Sequence, residues 1–490
     1  MLVVYAQAAP PGFLQVWVGV YGSEAPAPLA FTIDRAAAQP LAPVRYAPIR
    51  DGRSGPGGGA LNHRAIVRFR LAEAGRRHLV EVSCGDERRE LATSTLPDAV
   101  PQALDGSFNI LLGSCYYQPE DDAGLLGTIV TQIQILPQLV LLAGDQIYGD
   151  LPLFEDLPDS EPALSQRLGD KYLTNWASTQ LRVPGLEAVL ARAPVATIPD
   201  DHEFWNNFPF RQKQLPNTWQ DASRQRWQRA AQALYEDYQL AADPAAAGAT
   251  RLDVLPLRML MLDMRCARDD AFGDMLNPAG VAALAAWVAD LLADKAAGRP
   301  GVGLLSSGQA IFIDPPTSDG KKRDVDAEMG NYAQFALIEQ AITTLVDAGV
   351  PVVYVTGDVH WGRVASGDDR TRPNRRLLYE VICSPSRLIR TPLVDAGKET
   401  LASAKGIFGK KDPWPRHADA ETPPPFFGAQ SRFAVNCEFK QRGDQVAMLS
   451  FAQAGNGLDL DVRYYGIHPD KSLQQSRPVR TIQLRPLEGD

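Results

Sequence analysis

The sequence predicts an α/β core over residues 101–490, preceded by an all-β region over residues 1–100. Three observations carry this. Early runs such as Phe13 to Tyr21, His63 to Phe69 and His78 to Val82 alternate apolar and polar residues between Gly, Pro and Asp clusters, the pattern of short strands in a β-sandwich. From Phe108 onward, short continuous apolar runs alternate with stretches of helical spacing, the pattern of a sheet buried on both faces. The apolar runs also stop at residues able to bind metal or move protons, and open α/β sheets place ligands at the carboxyl ends of their strands.

The runs can be taken in order. Phe108 to Gly113 stops at Ser114-Cys115, and Leu139 to Ala143 stops at Gly144-Asp145-Gln146-Ile147-Tyr148. Val195 to Ile198 leads to Asp200-Asp201-His202-Glu203, and Val352 to Val355 leads to Gly357-Asp358-Val359-His360. A further strand, Met259 to Leu262, ends at Asp263-Met264-Arg265. Helices are predicted over Leu125 to Gln134, Arg226 to Leu240, Val281 to Leu292 and Tyr332 to Ala348, the last followed by Gly349 where a C-cap glycine belongs. After Cys437, Val446 to Phe451, Leu458 to Tyr465 and Ile482 to Leu484 form hairpin-like runs, from which a second, antiparallel sheet packed on the first is expected, with helices outside both. Asp51 to Gly59 is Gly-rich without Gly-Lys-Ser/Thr, so a loop is expected and not a phosphate cradle. The linker is expected near Leu96-Pro97-Asp98 to Pro101. A long irregular insertion, 398–425, carries Lys410, Lys411, Trp414 and Arg416; segments of this length often act as lids or rims, and its cations are most simply a solvated basic loop.

Composition narrows the class. Apolar content of 45% and charged content of 22% suit a soluble globular protein. A formal charge of −9 argues against a membrane-surface binder and against long polynucleotides, without excluding a phosphate ester at a local cationic centre. Five Cys, far apart and without a CxxC, do not form a disulfide framework. The first residues lack the basic region of an export signal, and no run reaches transmembrane length. A cytoplasmic location is expected, or a periplasmic or secreted one had an export segment been removed.

Together these motifs resemble a known family. Gly144 to Tyr148 has the G-D-x-x-Y form of purple acid phosphatases, where calcineurin-like metallophosphoesterases carry G-D-x-x-D. Asp200 to Glu203 looks like the G-N-H-E block with Asp201 replacing Asn, and Gly357 to His360 like the G-H-x-H block with Asp358 replacing the first His. With Gly-Ser-Cys at the first strand, Asn206-Asn207, Asp263-x-Arg265 and Ser384-Pro385, the chain resembles the PhoD-like alkaline phosphatase/phosphodiesterase family. The resemblance implies a four-layer αββα metallophosphoesterase sandwich with an N-terminal Ig/fibronectin-like domain. It also implies hydrolysis of phosphate mono- or diesters by a metal-activated water or oxide, at a mixed centre of Fe(III) and Ca²⁺, with Mn²⁺ or Mg²⁺ as alternatives to Ca²⁺. Two other readings stay open: a non-catalytic metal-binding module on the same fold, and a phosphodiesterase specialised for nucleotide or nucleic-acid ends.

The candidate ligands are Cys115, Asp145, Tyr148, Asp201, Asn206, Asp358 and His360. Asp145 can bridge two cations through its two oxygens, although Asp after a Gly turn also caps helices. A thiolate from Cys115 and a phenolate from Tyr148 suit Fe(III), and the oxygen donors suit Ca²⁺, Mg²⁺ or Mn²⁺; the plainer alternatives are an inert buried thiol and a packing aromatic. Of six His, none lies between His202 and His360, so the middle metal-binding His of purple acid phosphatases is absent. His202 is the candidate acid or charge stabiliser. Arg265 is either a bidentate phosphate clamp or a salt-bridge partner of Asp263 or a neighbouring acid. Asp200 either caps or ligates, and Trp361 is expected to pack.

Overall fold

The computed structural model describes residues 1–490 except 122, 154–156, 241–247, 313–322, 324–327, 372–375, 388–431, 477–478, 480 and 488–490. The insertion 398–425, with Lys410, Lys411, Trp414 and Arg416, lies outside the described residues.

The first part of the chain is all-β: β1 (Leu2–Gln7), β2 (Phe13–Tyr21), β3 (Leu29–Ile33), β4 (Ala36–Ala37), β5 (Ala47–Pro48), β6 (Asn62–Arg70), β7 (Arg77–Cys84) and β8 (Glu87–Ser94). A small sheet, β4-β3-β7-β8, faces β1, β2 and β6. Leu14, Val16, Val18, Phe31, Val67, Phe69, Val80 and Val82 fill the space between. Alternation in β2 and β6 is therefore the signature of one face turned to this core.

This region is continuous with the α/β core. β9 (Phe108–Gly113), α1 (Leu125–Gln132), β10 (Leu139–Ala143), α2 (Glu161–Trp176), α3 (Ser178–Leu181), α4 (Glu187–Leu190) and β11 (Val195–Ile198) come next. β9, β10 and β11 pair in parallel, and β1 continues the same sheet beside β11 through Gln7 and Val195. The linker is also tied down: the Val100 N–H donates to Leu255 O (2.8 Å), and Gln453 Nε2 donates to Val100 O (2.7 Å).

The rest of the chain supplies α5 (Asp221–Tyr238), β12 (Ala249–Val254), β13 (Leu257–Leu262), α6 (Pro278–Ala296), β14 (Val302–Ser306), α7 (Phe335–Asp347), β15 (Val352–Thr356), β16 (Gly362–Asp369), β17 (Arg376–Ile382), β18 (Phe433–Gln441), β19 (Gln445–Ala454), β20 (Gly457–Gly466), β21 (Gln474–Gln475) and β22 (Ile482–Leu484). The second sheet runs β12-β13-β14-β15-β17-β16-β18, parallel from β13 to β17 and antiparallel at its edges. The expectation that the C-terminal hairpins would build this sheet is corrected. β19 pairs antiparallel with β9, so the hairpin β19-β20 and β22 extend the first sheet. The apolar run of β19 is buried on both faces, which a strand inside a covered sheet requires.

The same logic explains the other runs. Ile110, Leu112, Leu141 and Ile198 meet Met259, Leu304, Val353 and Val381 between the two sheets. Leu111, Val140, Leu142 and Val195 face the other way, onto Leu126, Ile129, Leu168, Trp176 and Leu234 of helices α1, α2 and α5. On the second sheet, Leu260, Leu305, Val352 and Tyr354 face Leu284, Trp287, Ile338 and Ile342 of α6 and α7. Helix α2 was not foreseen in the sequence, although Leu164, Leu168, Tyr172 and Trp176 recur every fourth residue and all are buried.

The first strands grip the C-terminal end of α5. Asp237 is 1% exposed and accepts from the Arg50 N–H (2.8 Å), Arg50 Nη2 (2.9 Å) and Arg64 Nε (3.1 Å). Trp17 Nε1 donates to Asp237 O (2.9 Å), and Tyr5 Oη donates to Tyr238 O. Removing one member of such a network leaves the other charges unpaired. Asp237→Ala is expected to cost about 3 kcal/mol, read as a lower urea midpoint; an unchanged midpoint would show that the grip is not structural.

Candidate metal centre

The site is built at a seam. The carboxyl ends of β9, β10 and β11 in the first sheet meet the ends of β13 and β15 in the second. Loops from these ends, and the loop after β17, are laced by backbone bonds: the Cys115 N–H donates to Gly144 O (3.0 Å), the Tyr116 N–H to Asp145 O (2.8 Å) and the Arg387 N–H to Cys115 O (3.1 Å). Gly357 shows how close the approach is, because a Cβ there would lie 2.3 Å from Ser114 Oγ and 2.5 Å from Ala143 O. Cys115, Asp145, Asn207, Asp358 and His360 all hold φ near +60°. Left-handed backbone costs non-glycine residues about 1–3 kcal/mol each and concentrates at functional sites.

The acids converge in two groups that share one member. Ligand atoms of Asp145, Asp201 and His202 lie within 4.8 Å of one another, and so do those of Asp145, Asp200 and Asp358. Cys115 Sγ adjoins the shared carboxylate, 3.3 Å from Asp145 Oδ2, and Ser384 Oγ donates to the sulfur at 3.1 Å. The Tyr148 ring lies 4.1 Å from that of His202, and its hydroxyl is buried with no hydrogen-bond partner. Asp200 Oδ2 is likewise buried without one. His360 is outside both groups; its N–H donates to Ser384 Oγ (3.1 Å), one side chain away from Cys115. Asn206 enters through its backbone, donating to Asp150 Oδ2 (3.0 Å), while the Asn207 N–H donates to Asp201 Oδ2 (2.6 Å).

Electrostatics make the arrangement costly as it stands. Burial, then the nearby Asp145 carboxylate, pushes the Cys115 thiol well above its usual range. Burial also pushes Tyr148 well up, with Cys115 and Asp145 adding to the shift. Burial raises Asp145 well above the carboxylate range; His202 opposes this, and Asp201 and Asp200 reinforce it. Each of these groups resists ionising without a cation beside it. Bound cations would favour the ionised forms and displace the protons. The orphaned Tyr148 hydroxyl, the orphaned Asp200 oxygen and the shared Asp145 carboxylate therefore fit a two-metal site.

Arg265 departs from the phosphate-clamp expectation. It is 1% exposed; Nε donates to Asp200 Oδ1 (2.7 Å), Nη2 lies 2.5 Å from the same oxygen, and Nη1 donates to Phe208 O (3.1 Å). A buried guanidinium needs such partners, and its partner is Asp200. Asp263 instead accepts the backbone N–H groups of Arg265 and Cys266, both at 2.9 Å. Burial works against the charge on Arg265, but Asp200 and Asp201 outweigh it and hold the guanidinium firmly protonated.

Two functional residues escaped the sequence reading. Asp150 receives His202 Nδ1 at 2.8 Å. Burial opposes the charge on both, yet each holds the other ionised: Asp150 is lowered and His202 raised well above its usual value. Its signal was a second acid two residues after Tyr148. Glu203, fully buried, accepts the N–H groups of Asp145 (3.0 Å), Gln146 (2.7 Å) and Asp200 (2.8 Å), plus Gln239 Nε2 (3.3 Å). Burial lifts it to about 7 against the pull of those hydrogen bonds. Its carboxylate clasps the two loops that present Asp145 and Asp201.

A family profile described as PhoD-like phosphatase matches residues 113–391, more than half of the chain. The chain belongs to the PhoD-like phosphatase family. That places it among phosphoesterases, and the acid and His groups above are residues able to hold its metals. A solved structure described as "Structure of PhoD" has a similar fold, with a TM-score of 0.63 at 13% identity over 99% of this chain and 90% of that one. Weaker likenesses reach GAP50, described as the anchor in the inner membrane complex of Plasmodium (TM-score 0.35, 9% identity, 78% of this chain and 90% of that one), and TT1561 of Thermus thermophilus (0.24, 10%, 57% and 90%). No curated protein matches the chain. Among the described residues no helix is long and apolar enough to cross a membrane.

Glu203→Gln places an amide N–H₂ against backbone N–H donors. The variant is expected to lose metal affinity about 10- to 100-fold, as when a group supporting a ligand is removed, and about 1–3 kcal/mol of stability. Metal titration and thermal unfolding check this; native metal affinity in the variant would show that the two loops hold without the clasp.

Proposed function

We propose that this protein hydrolyses phosphate mono- or diesters at a pair of metal ions sharing Asp145. The observation that carries the reading is the membership of Asp145 in both ligand groups, which would let one carboxylate serve two metal ions. The facing sheets with helices outside them are then the four-layer αββα sandwich, with residues 1–100 as a flanking β-sandwich domain and 101–490 as the catalytic unit.

Cys115 and Tyr148 would supply the thiolate and phenolate that favour Fe(III). Asp201, Asp358 and Asn206 would supply oxygens suited to Ca²⁺, or to Mn²⁺ or Mg²⁺ in its place, with His360 as a further ligand. Metals held there would supply charge neutralisation at the phosphoryl oxygens and an acidified water. The chain's own part is to place and protonate. Glu203 and Arg265 hold the loops and Asp200 in register. Asp150 accepts the proton on His202 Nδ1 and stabilises the imidazolium, whose second proton, on Nε2, is then the one to donate. At 12% side-chain exposure, His202 is the member of this dyad that meets incoming molecules, whereas Asp150 is closed off. His202 thus serves as acid or charge stabiliser toward the leaving oxygen.

Elemental analysis together with a screen of nitrophenyl mono- and diesters tests the function. The purified protein is expected to carry iron and to be coloured by charge transfer to Fe(III). Chelation is expected to bleach it and stop hydrolysis together. Asp145→Asn is expected to lose both metals and several orders of magnitude of activity, because the metals carry the chemistry. A full metal complement with near-normal turnover in that variant would remove Asp145 from the centre, and a colourless, iron-free active enzyme would remove Fe(III).

His202→Ala is expected to keep its metals and slow turnover by about 10²–10⁴-fold. The loss should shrink for esters with good leaving groups, which need little protonation. Equal losses across leaving groups would count against the acid role, and loss of metal would make His202 a ligand beside Asp145 and Asp201.

A further inference from the structure

Two hydroxyls adjoin the Cys115 sulfur, and they differ in where their single protons go. Ser384 Oγ lies 3.1 Å from Sγ, and Ser114 Oγ lies 3.5 Å from it. Ser114 directs its proton elsewhere: Cys383 O accepts it at 2.8 Å, a shorter contact to a stronger acceptor than sulfur. At Ser384 the hydroxyl oxygen accepts the His360 N–H (3.1 Å), which leaves its own proton to point at the sulfur. Ser384 and Cys115 are both 0% exposed, so bulk solvent competes for neither partner. The segment that carries Ser384, just after β17, is fixed on two sides. Gln445 Nε2 donates to Ser384 O (3.1 Å) and the Gln445 N–H to Pro385 O (2.8 Å), while the Ser386 N–H donates to Ser114 O (2.7 Å).

We propose that Ser384 is a positioning residue that tunes the metal centre through Cys115: its O–H donates to the sulfur and draws electron density from it, so that a thiolate there gives less charge to a bound metal ion. The inference rests on the reading of Cys115 as a ligand to Fe(III), and on the hydrogen-bond geometry alone for the choice of Ser384 over Ser114. Hydrogen bonding around a cysteine sulfur is a general lever on the electronics of the metal it binds. A phosphoesterase gains from that lever, because a metal acting as a Lewis acid polarises the phosphoryl oxygens more strongly the less charge its ligands give it. The same hydroxyl holds the His360 N–H, so one side chain sets the electron donation of one loop and the placement of the next.

The experiment reads the sulfur-to-iron charge-transfer bands of the iron-loaded protein by absorption and resonance Raman spectroscopy. Bands that Cys115→Ser removes belong to the sulfur. Ser384→Ala is expected to move those bands to longer wavelength, because an unassisted thiolate gives up electron density more readily, and to lower the reduction potential of the iron. Iron affinity should also fall about 10- to 100-fold, as when other groups that support a ligand are removed. A merely structural prop would lower affinity without moving the bands. Ser114→Ala, which removes a hydroxyl beside the same sulfur, should leave them in place. In the wild type, transfer to deuterated water exchanges the Ser384 proton and should displace the Raman bands of the sulfur with no substitution at all. Sulfur bands that stay put in Ser384→Ala, or that Ser114→Ala moves equally, overturn the inference and leave Cys115 a ligand. Where Ser384→Ala does not fold, wild-type bands indifferent to deuterated water overturn it instead. If iron binds with no band that Cys115→Ser removes, the reading of Cys115 as a ligand falls and takes the inference with it.

Discussion

Asp145 has ligand oxygens within 4.8 Å of those of Asp201 on one side and of Asp200 and Asp358 on the other, all at the seam of two buried sheets. Burial removes the water that would otherwise screen these carboxylates and raises the cost of ionising Asp145 and Asp200, to which the charge of Asp201 adds. The centre is a concentration of negative charge that only a cation or a proton can relieve. Its surroundings can be understood as the means of holding that unfavourable arrangement in place. Left-handed backbone at Cys115, Asp145, Asp358 and His360 is one cost of presenting these candidate ligands from strand ends.

What holds the arrangement is a second set of charged groups facing away from it. Glu203 takes backbone N–H groups from the loops after β10 and β11, and Arg265 reaches from the loop after β13 to Asp200. The support extends outward. Gln239, at the end of α5, donates to Glu203, and the residues just before it, Asp237 and Tyr238, are gripped by Arg64, Trp17 and Tyr5 of the first strands and by Arg50 just after β5. A continuous path of contacts thus joins the N-terminal β-region to the loops that carry Asp145. This gives the region a physical role in the centre although it supplies none of the candidate ligands.

His202 and Asp150 illustrate how a neighbouring pair separates from the cluster. The dyad is nearly neutral as a unit, because each member stabilises the charge of the other against burial. That leaves His202 protonated beside acids that are reluctant to ionise. A protonated imidazole and a cluster of carboxylates can coexist within one seam because the dyad's charge is balanced locally.

Strands, and the side chains that gather at their ends, were legible in the amino-acid order alone. Runs such as Leu139–Ala143 and Val352–Thr356 are apolar on both faces because one face meets the other sheet and one meets helices, and that double burial reads as an unbroken run. Cys115, Asp145, Tyr148, Asp201 and Asp358 could be picked out because each follows such a run closely. Which strands share a sheet emerged only on folding: β9 to β11 lie in one and β13 and β15 in the other, so the site is a seam and not one sheet edge. Folding also joined β1 to β11 and β19 to β9, pairings across long separations that hydrophobic pattern does not encode. Partner choice was equally hidden. Arg265 pairs with Asp200 rather than with Asp263, and Glu203 turns inward to backbone N–H groups, because a charged side chain in a dry interior bonds to whatever the folded loops bring within reach, and no local spacing records that.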